Sequence, residues 1–260
     1  MENRKSIAIV TGASSGLGAE FVRQLDGKKT LDEIWVIARR RERLEALQNQ
    51  VSTPLRILDW DLTDPHIAEP FSQLLATETP VIRILVNAAG FGKIGSYRDI
   101  SLADCDDMIN LNCRAAVNMT QLSLPYMTKG GRILELCSTA GFQPFPYLNI
   151  YAASKSFLYR YSRALRVELL GTGIHVTAVC PYWVKDTEFI PISRRTANSS
   201  YIRGFPLASH RKPVVKLALW ASQLNLPVAT PGIVCTVHRI VAKFIPHSVM
   251  MGMWAGLRRL

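Results

Sequence analysis

The chain lacks the features that mark several large classes of protein. It has five cysteines in 260 residues (Cys105, Cys113, Cys137, Cys180 and Cys235) and no CxxC pair. An odd set without metal spacing argues against a disulfide framework and suggests reduced thiols in a cytoplasmic compartment. The five histidines are scattered, so no metal site is expected. No apolar run approaches the roughly 20 residues that cross a bilayer. The run after the charged residues 1–5 is too short for a signal peptide. Repeats, low-complexity stretches and any obvious linker are also missing, which favours one domain over residues 1–260. Charge balance is absent too, with 31 Lys and Arg against 20 Asp and Glu for a net +11. That excess suits anionic surfaces or substrates. No nucleic-acid-binding motif or basic-aromatic platform accompanies it, so nucleic acid is not an expected partner.

What is present begins with a hydrophobic segment at 6–10. It runs into Thr11-Gly12-Ala13-Ser14-Ser15-Gly16-Leu17-Gly18. Phe21, Val22 and Leu25 then fall at one-face helical spacing. A Gly-rich turn between strand and helix offers backbone N–H groups and the positive end of a helix dipole to a pyrophosphate. The spacing is GxxxGxG rather than the GxGxxG dinucleotide fingerprint. Alternating segments continue, with strands expected near 6–11, 33–38, 55–60, 82–87, 131–137 and 174–180. Helices are expected near 16–26, 41–50, 65–77, 101–128, 150–170 and 212–224. This alternation predicts an α/β fold of Rossmann type, a doubly wound parallel sheet with helices on both faces. Ligands then bind at the carboxyl ends of the strands.

Tyr151 and Lys155 stand four residues apart, thirteen residues after Ser138. Residues at i and i+4 share a helix face. A cation about 4 Å from a phenol, at an effective dielectric near 20, is worth about 4 kcal/mol. That is enough to draw a tyrosine pKa from about 10 toward 7. A tyrosine so tuned can exchange a proton with a substrate oxygen that Ser138 orients.

Together these residues resemble the short-chain dehydrogenase/reductase family over about residues 5–190. The matching elements are Thr11–Gly18, Asn87-Ala88-Ala89-Gly90, Asn112, Ser138 and Tyr151 with Lys155. The resemblance implies a catalytic set of Asn112, Ser138, Tyr151 and Lys155. Asn112, with Asn110 a neighbouring candidate, is expected to keep a water that links Lys155 to solvent. The turn residues Gly12, Ser14, Ser15, Gly16, Leu17 and Gly18 are expected to hold a dinucleotide, and Tyr151 and Lys155 also face its ribose. Asp61 and Leu62 resemble the adenine-contacting pair, with Asp59 a competitor, and Asn87, Ala88 and Gly90 are expected to line the ribose and steady the central strand. The second strand ends in Arg39-Arg40-Arg41 instead of an acid. Arginines bind phosphate bidentately, so Arg39 and Arg40 predict NADP(H).

After the sixth strand the chain departs from the family's Pro-Gly pattern and reads Pro181-Tyr182-Trp183-Val184-Lys185-Asp186-Thr187. Pro181 and Val184 are still expected against the nicotinamide, with Thr187 one residue late. Pro-Tyr here resembles a subgroup with long-chain 3-oxoacyl reductases and some hydroxysteroid dehydrogenases. Residues 182–212 correspond to the family's substrate lid. Its aromatics Tyr182, Trp183, Phe189, Tyr201 and Phe205, with Phe142, Phe145 and Tyr147 opposite, predict a large apolar pocket. The expected reaction interconverts a ketone and a secondary alcohol on a bulky lipophilic substrate. Alternatives are a long-chain 3-oxoacyl thioester reductase and a non-catalytic NADP(H)-binding sensor or scaffold. Residues 233–260 form an extension in which Met250, Met253, Trp254 and Leu257 recur at helical spacing beside Arg258 and Arg259. It can close over substrate, pack in a homodimer or homotetramer such as the family forms, or lie on an anionic membrane as a peripheral contact.

Overall fold

The computed structural model describes residues 4–257, so Arg258 and Arg259 lie outside the described residues. The strands are β1 (Ser6–Thr11), β2 (Glu33–Ile37), β3 (Leu55–Leu58), β4 (Val81–Asn87), β5 (Met127–Leu136), β6 (His175–Val179) and β7 (Val228–Ala229). They form one parallel sheet in the order β3-β2-β1-β4-β5-β6-β7. The helices are α1 (Gly16–Leu25), α2 (Arg41–Gln48), α3 (Ala68–Glu78), α4 (Leu102–Ile109), α5 (Ala116–Ser123), α6 (Asn149–Glu168), α7 (Phe189–Ser193), α8 (Arg211–Gln223), α9 (Ile233–Phe244) and α10 (His247–Leu257).

The central strand shows why the sequence folds this way. Ile7, Ala8, Ile9 and Val10 are all fully buried, as a strand covered on both faces requires. Ala8 and Val10 pack with Phe21, Val22 and Leu25 of α1. Ile7 and Ile9 turn to the other layer, with Phe71 and Leu75 of α3. The strand order reverses between β1 and β4, and this switch opens a crevice at the carboxyl ends.

Three expectations about the elements need correction. The helix expected over 101–128 is broken into α4, a π-helical turn at Asn110–Ala115, α5 and a 3₁₀ turn at Leu124–Tyr126. Pro125 ends the helical run because it lacks an N–H, and β5 starts at Met127 rather than 131. A register shift between Ile82 and Ile84 absorbs the extra length of β5. Strand β7 was not expected; it is two residues long and carries no periodicity to read. The C-terminal extension keeps the break expected at Pro246, with α9 before it and α10 after it.

Candidate active site

A cavity of about 550 Å³ runs across the carboxyl ends of the strands. One end is built by the β1–α1 turn. Gly12 and Gly16 both adopt positive φ, at 67° and 54°, a region glycine enters without steric cost. A Cβ at position 18 would stand 2.3 Å from the Gly12 carbonyl oxygen, so only glycine lets α1 pack this closely on the turn. Gly18→Ala is expected to cost on the order of 1–3 kcal/mol through overpacking, read as a lower urea midpoint. Ser15 occupies the N-cap of α1 in extended backbone, yet its side chain accepts no hydrogen bond from the helix. Helix N–H groups without an intrahelical partner suit an anion there.

The predicted cofactor residues Gly12, Ser14, Ser15, Gly16, Leu17, Gly18, Arg39, Arg40, Asp61, Leu62, Ala88, Gly90, Pro181, Val184 and Thr187 all line this cavity. The late Thr187 still reaches the turn: its side chain would touch a Cβ placed on Gly16 at 3.5 Å. Asn87 does not line the cavity. Its amide is buried and donates to Ala116 O, Thr120 Oγ1 and Glu135 Oε1, so it steadies the sheet rather than the ribose. Asp59 pairs with Arg41 at 3.4 Å and does not line the cavity, whereas Asp61 does. Asp61 already accepts from the Thr63 backbone and hydroxyl.

The arginines divide their work. Arg40 donates to Ser14 Oγ and Ser15 Oγ, and pairs with Glu188 at 2.9 Å. Arg39 is largely exposed and lies 3.6 Å from Asp61, and Arg41 turns to Glu45. Arg43 also holds Glu188, at 2.6 Å. Together the Arg43 and Arg40 guanidiniums bring the Glu188 pKa down to about 2. Glu188 was missed in the sequence, because 148 residues separate it from Arg40. The only local signal was one acid placed between Thr187 and the lid helix.

The residues expected to be catalytic converge beyond Gly90. Tyr151, Ser154 and Lys155 lie on the buried face of α6. The Lys155 ammonium donates to Leu136 O at 2.7 Å and lies 5.9 Å from the Tyr151 ring centre. A Cβ at position 90 would meet Asn112 Oδ1 at 2.7 Å and Lys155 Nζ at 3.1 Å. Ser138 follows β5, with its hydroxyl accepting from Ala140 N. The expected acidic phenol is corrected here. Burial pushes the Tyr151 pKa above its usual value, and a hydrogen bond with Ser138 offsets only part of this. Burial also lowers the Lys155 pKa. Desolvation disfavours the charged form of each group, and it is the largest cause of both shifts.

Asn112 sits at the heart of this cluster. It is fully buried within the π turn. Its amide donates to Phe91 O and Ser154 Oγ, and its oxygen accepts from Phe91 N. It thereby ties the loop after β4 to α6.

The opposite half of the cavity is aromatic. Phe91, Phe145, Trp183, Phe189, Ile192 and Trp254 line it. Phe189 lies 5.2 Å from the Tyr151 ring, centre to centre, and Trp254 packs edge-on to Phe145 at 5.0 Å. The expected aromatics Phe142, Tyr147, Tyr201 and Phe205 do not line it. Phe142 packs on Tyr159, Tyr147 stacks on Tyr201 and Phe205 supports Trp183. Phe91, Lys93 and Leu111 reach the cavity without a sequence signal.

Comparison with known proteins agrees with this geometry. The family model described as short chain dehydrogenase matches residues 6–197. The chain is similar to the NADP-dependent 3-hydroxy acid dehydrogenase YdfG of Escherichia coli strain K12, at 35% identity over 188 residues, covering 70% of this chain and 74% of that one. Sulfoacetaldehyde reductase 2 of Chromohalobacter salexigens is 33% identical over 192 residues, with the same coverages. Among solved structures, a short-chain dehydrogenase from Sphingobium yanoikuyae in complex with NADPH superposes with a TM-score of 0.77 at 25% identity, covering 97% of this chain and 94% of its own. Sheet order, turn, Tyr151–Lys155 helix and these matches agree: the chain belongs to the short-chain dehydrogenase family of oxidoreductases.

Proposed function

We propose that the protein is an NADP(H)-dependent oxidoreductase that interconverts a ketone and a secondary alcohol on a bulky lipophilic substrate. The observation that carries this reading is one cavity that holds Ser138, Tyr151 and Lys155 between a dinucleotide turn and a wall of aromatic rings. Arg40, aimed at the Ser14 and Ser15 hydroxyls, fits a 2′-phosphate. The named cofactors of the Escherichia coli and Sphingobium relatives agree with that fit.

In reduction the Tyr151 hydroxyl donates its proton to the carbonyl oxygen, and in oxidation the phenolate accepts one. Ser138 orients that oxygen through a second hydrogen bond. Lys155 holds a positive charge beneath the site, fixed by Leu136 O. Asn112 positions the Phe91 loop and Ser154 rather than touching substrate. Bound NADPH supplies the hydride. Phe189 packs against the Tyr151 ring.

A sensor or scaffold would need no proton donor, so the full set favours an enzyme. Lys93 and Arg195 line the same cavity, and they support a second reading, a long-chain 3-oxoacyl thioester whose carrier bears phosphates. NADPH consumption against ketosteroids and against 3-oxoacyl thioesters separates the two. Turnover of neither panel, with small 3-oxo acids reduced instead, would overturn the assignment of a bulky substrate.

A further inference from the structure

Residues 189–260 contain ten Lys and Arg and no Asp or Glu. The first 188 residues carry 21 cations against 20 acids, so nearly all of the net +11 charge lies on the C-terminal side. The same segment carries uncovered apolar surface. Helix α9 docks through Cys235, which is buried, and through His238, which meets Gln143 Oε1 at 3.1 Å and packs edge-on to Phe142 and Phe145. At about 100° per residue, Ile233, Val237, Ile240 and Phe244 project from the opposite side. They are 81%, 52%, 55% and 73% exposed. A helix apolar on both sides belongs in a core, and only one side of α9 is in one. Helix α10 repeats the division. Met250 is buried and Trp254 walls the cavity, whereas Val249 and Met253 are about half exposed.

We propose that the outer face of α9 and α10 docks on an anionic lipid bilayer. The apolar side chains enter the headgroup–acyl boundary, and Lys243, 5.6 Å from the Phe244 ring centre, meets headgroup phosphates. No described helix is long and apolar enough to cross the bilayer, so the pair lies along its surface. A second copy of the chain fits this face poorly. An isologous contact sets the same patch against itself, and here that opposes cations with no carboxylate in the segment to pair them. Trp254 joins this face to the cavity, which places a lipophilic substrate's source beside its site. The inference does not rest on the catalytic reading, since lipid binding needs no turnover.

The test is sedimentation of the full chain, with NADPH, on vesicles of phosphatidylcholine alone or of equimolar phosphatidylcholine and phosphatidylglycerol. Wild type is expected to sediment with the anionic vesicles, less at high salt, and little with phosphatidylcholine alone. An Ile240→Glu, Phe244→Glu double variant is expected to lose more than about tenfold in partitioning, since each site removes apolar burial. Its melting temperature and NADPH binding should stay unchanged, because both positions are exposed. Lys243→Glu, which leaves the apolar face intact, should weaken only binding to anionic vesicles. Wild type left in the supernatant with both compositions overturns the proposal, as does a double variant that binds as wild type does. Loss of a dimer in the double variant, with no vesicle binding by wild type, assigns the face to a second copy instead.

Discussion

Tyr151→Phe is expected to lower kcat/KM for carbonyl reduction by about 10²–10⁴, the usual contribution of a positioned general acid. NADPH affinity should stay nearly unchanged. The substitution removes one hydroxyl and leaves a ring of the same shape. That ring keeps its contact with Phe189 at 5.2 Å, so folding should hardly change. The raised phenol pKa sets the pH dependence. A group held protonated by burial donates across neutral pH, so reduction in the wild type should fall only in strongly alkaline solution. Alcohol oxidation needs the phenolate and should rise with pH over the same range. The variant should lose both dependences, which pH profiles of kcat/KM in the two directions would reveal. Wild-type rates in the variant would remove Tyr151 from the chemistry.

The second large effect concerns cofactor choice. Arg40→Asp is expected to raise the Kd for NADPH by about 10²-fold or more. A charge-assisted hydrogen bond is worth about 1.5–3 kcal/mol, and about 1.4 kcal/mol is a factor of ten. The introduced carboxylate adds repulsion to that loss, while NADH, without the extra phosphate, should lose little or gain. Arg39→Asp should do less, because Arg39 is 70% exposed and already faces Asp61. Titration of both variants with both nucleotides ranks the two arginines. A larger loss at position 39 would show that the wrong guanidinium has been assigned to the phosphate.

The legible parts of this protein were those encoded within a few residues. The Gly-rich turn could be read because strand, turn and helix follow one another in eight positions. Tyr151 and Lys155 were read from a helical repeat. What spacing could not report was solvation. Four residues on one face place a cation near a phenol, but the sign of the pKa change depends on how much water both groups lose, and that is decided by strands and loops far away in the chain. Partnerships over long separations were hidden for the same reason. Glu188 meets Arg40 and Arg43 only after the sheet closes, and Trp254 reaches Phe145 across more than a hundred positions. Asn87 was read as lining the ribose and steadying the central strand, and its contacts fit only the second role. Its side chain turns instead toward Thr120 and Glu135, whose carboxyl burial raises to a pKa of about 7.

The π turn at Asn110–Ala115 stores part of the site as a residue count. A wider turn is one surplus amino acid threaded into an otherwise regular helix, and it is this surplus that carries Asn112 beneath the Phe91 loop. Scanning by substitution samples chemistry at fixed length and passes over such information. Libraries that insert or delete single codons are where this segment would prove intolerant.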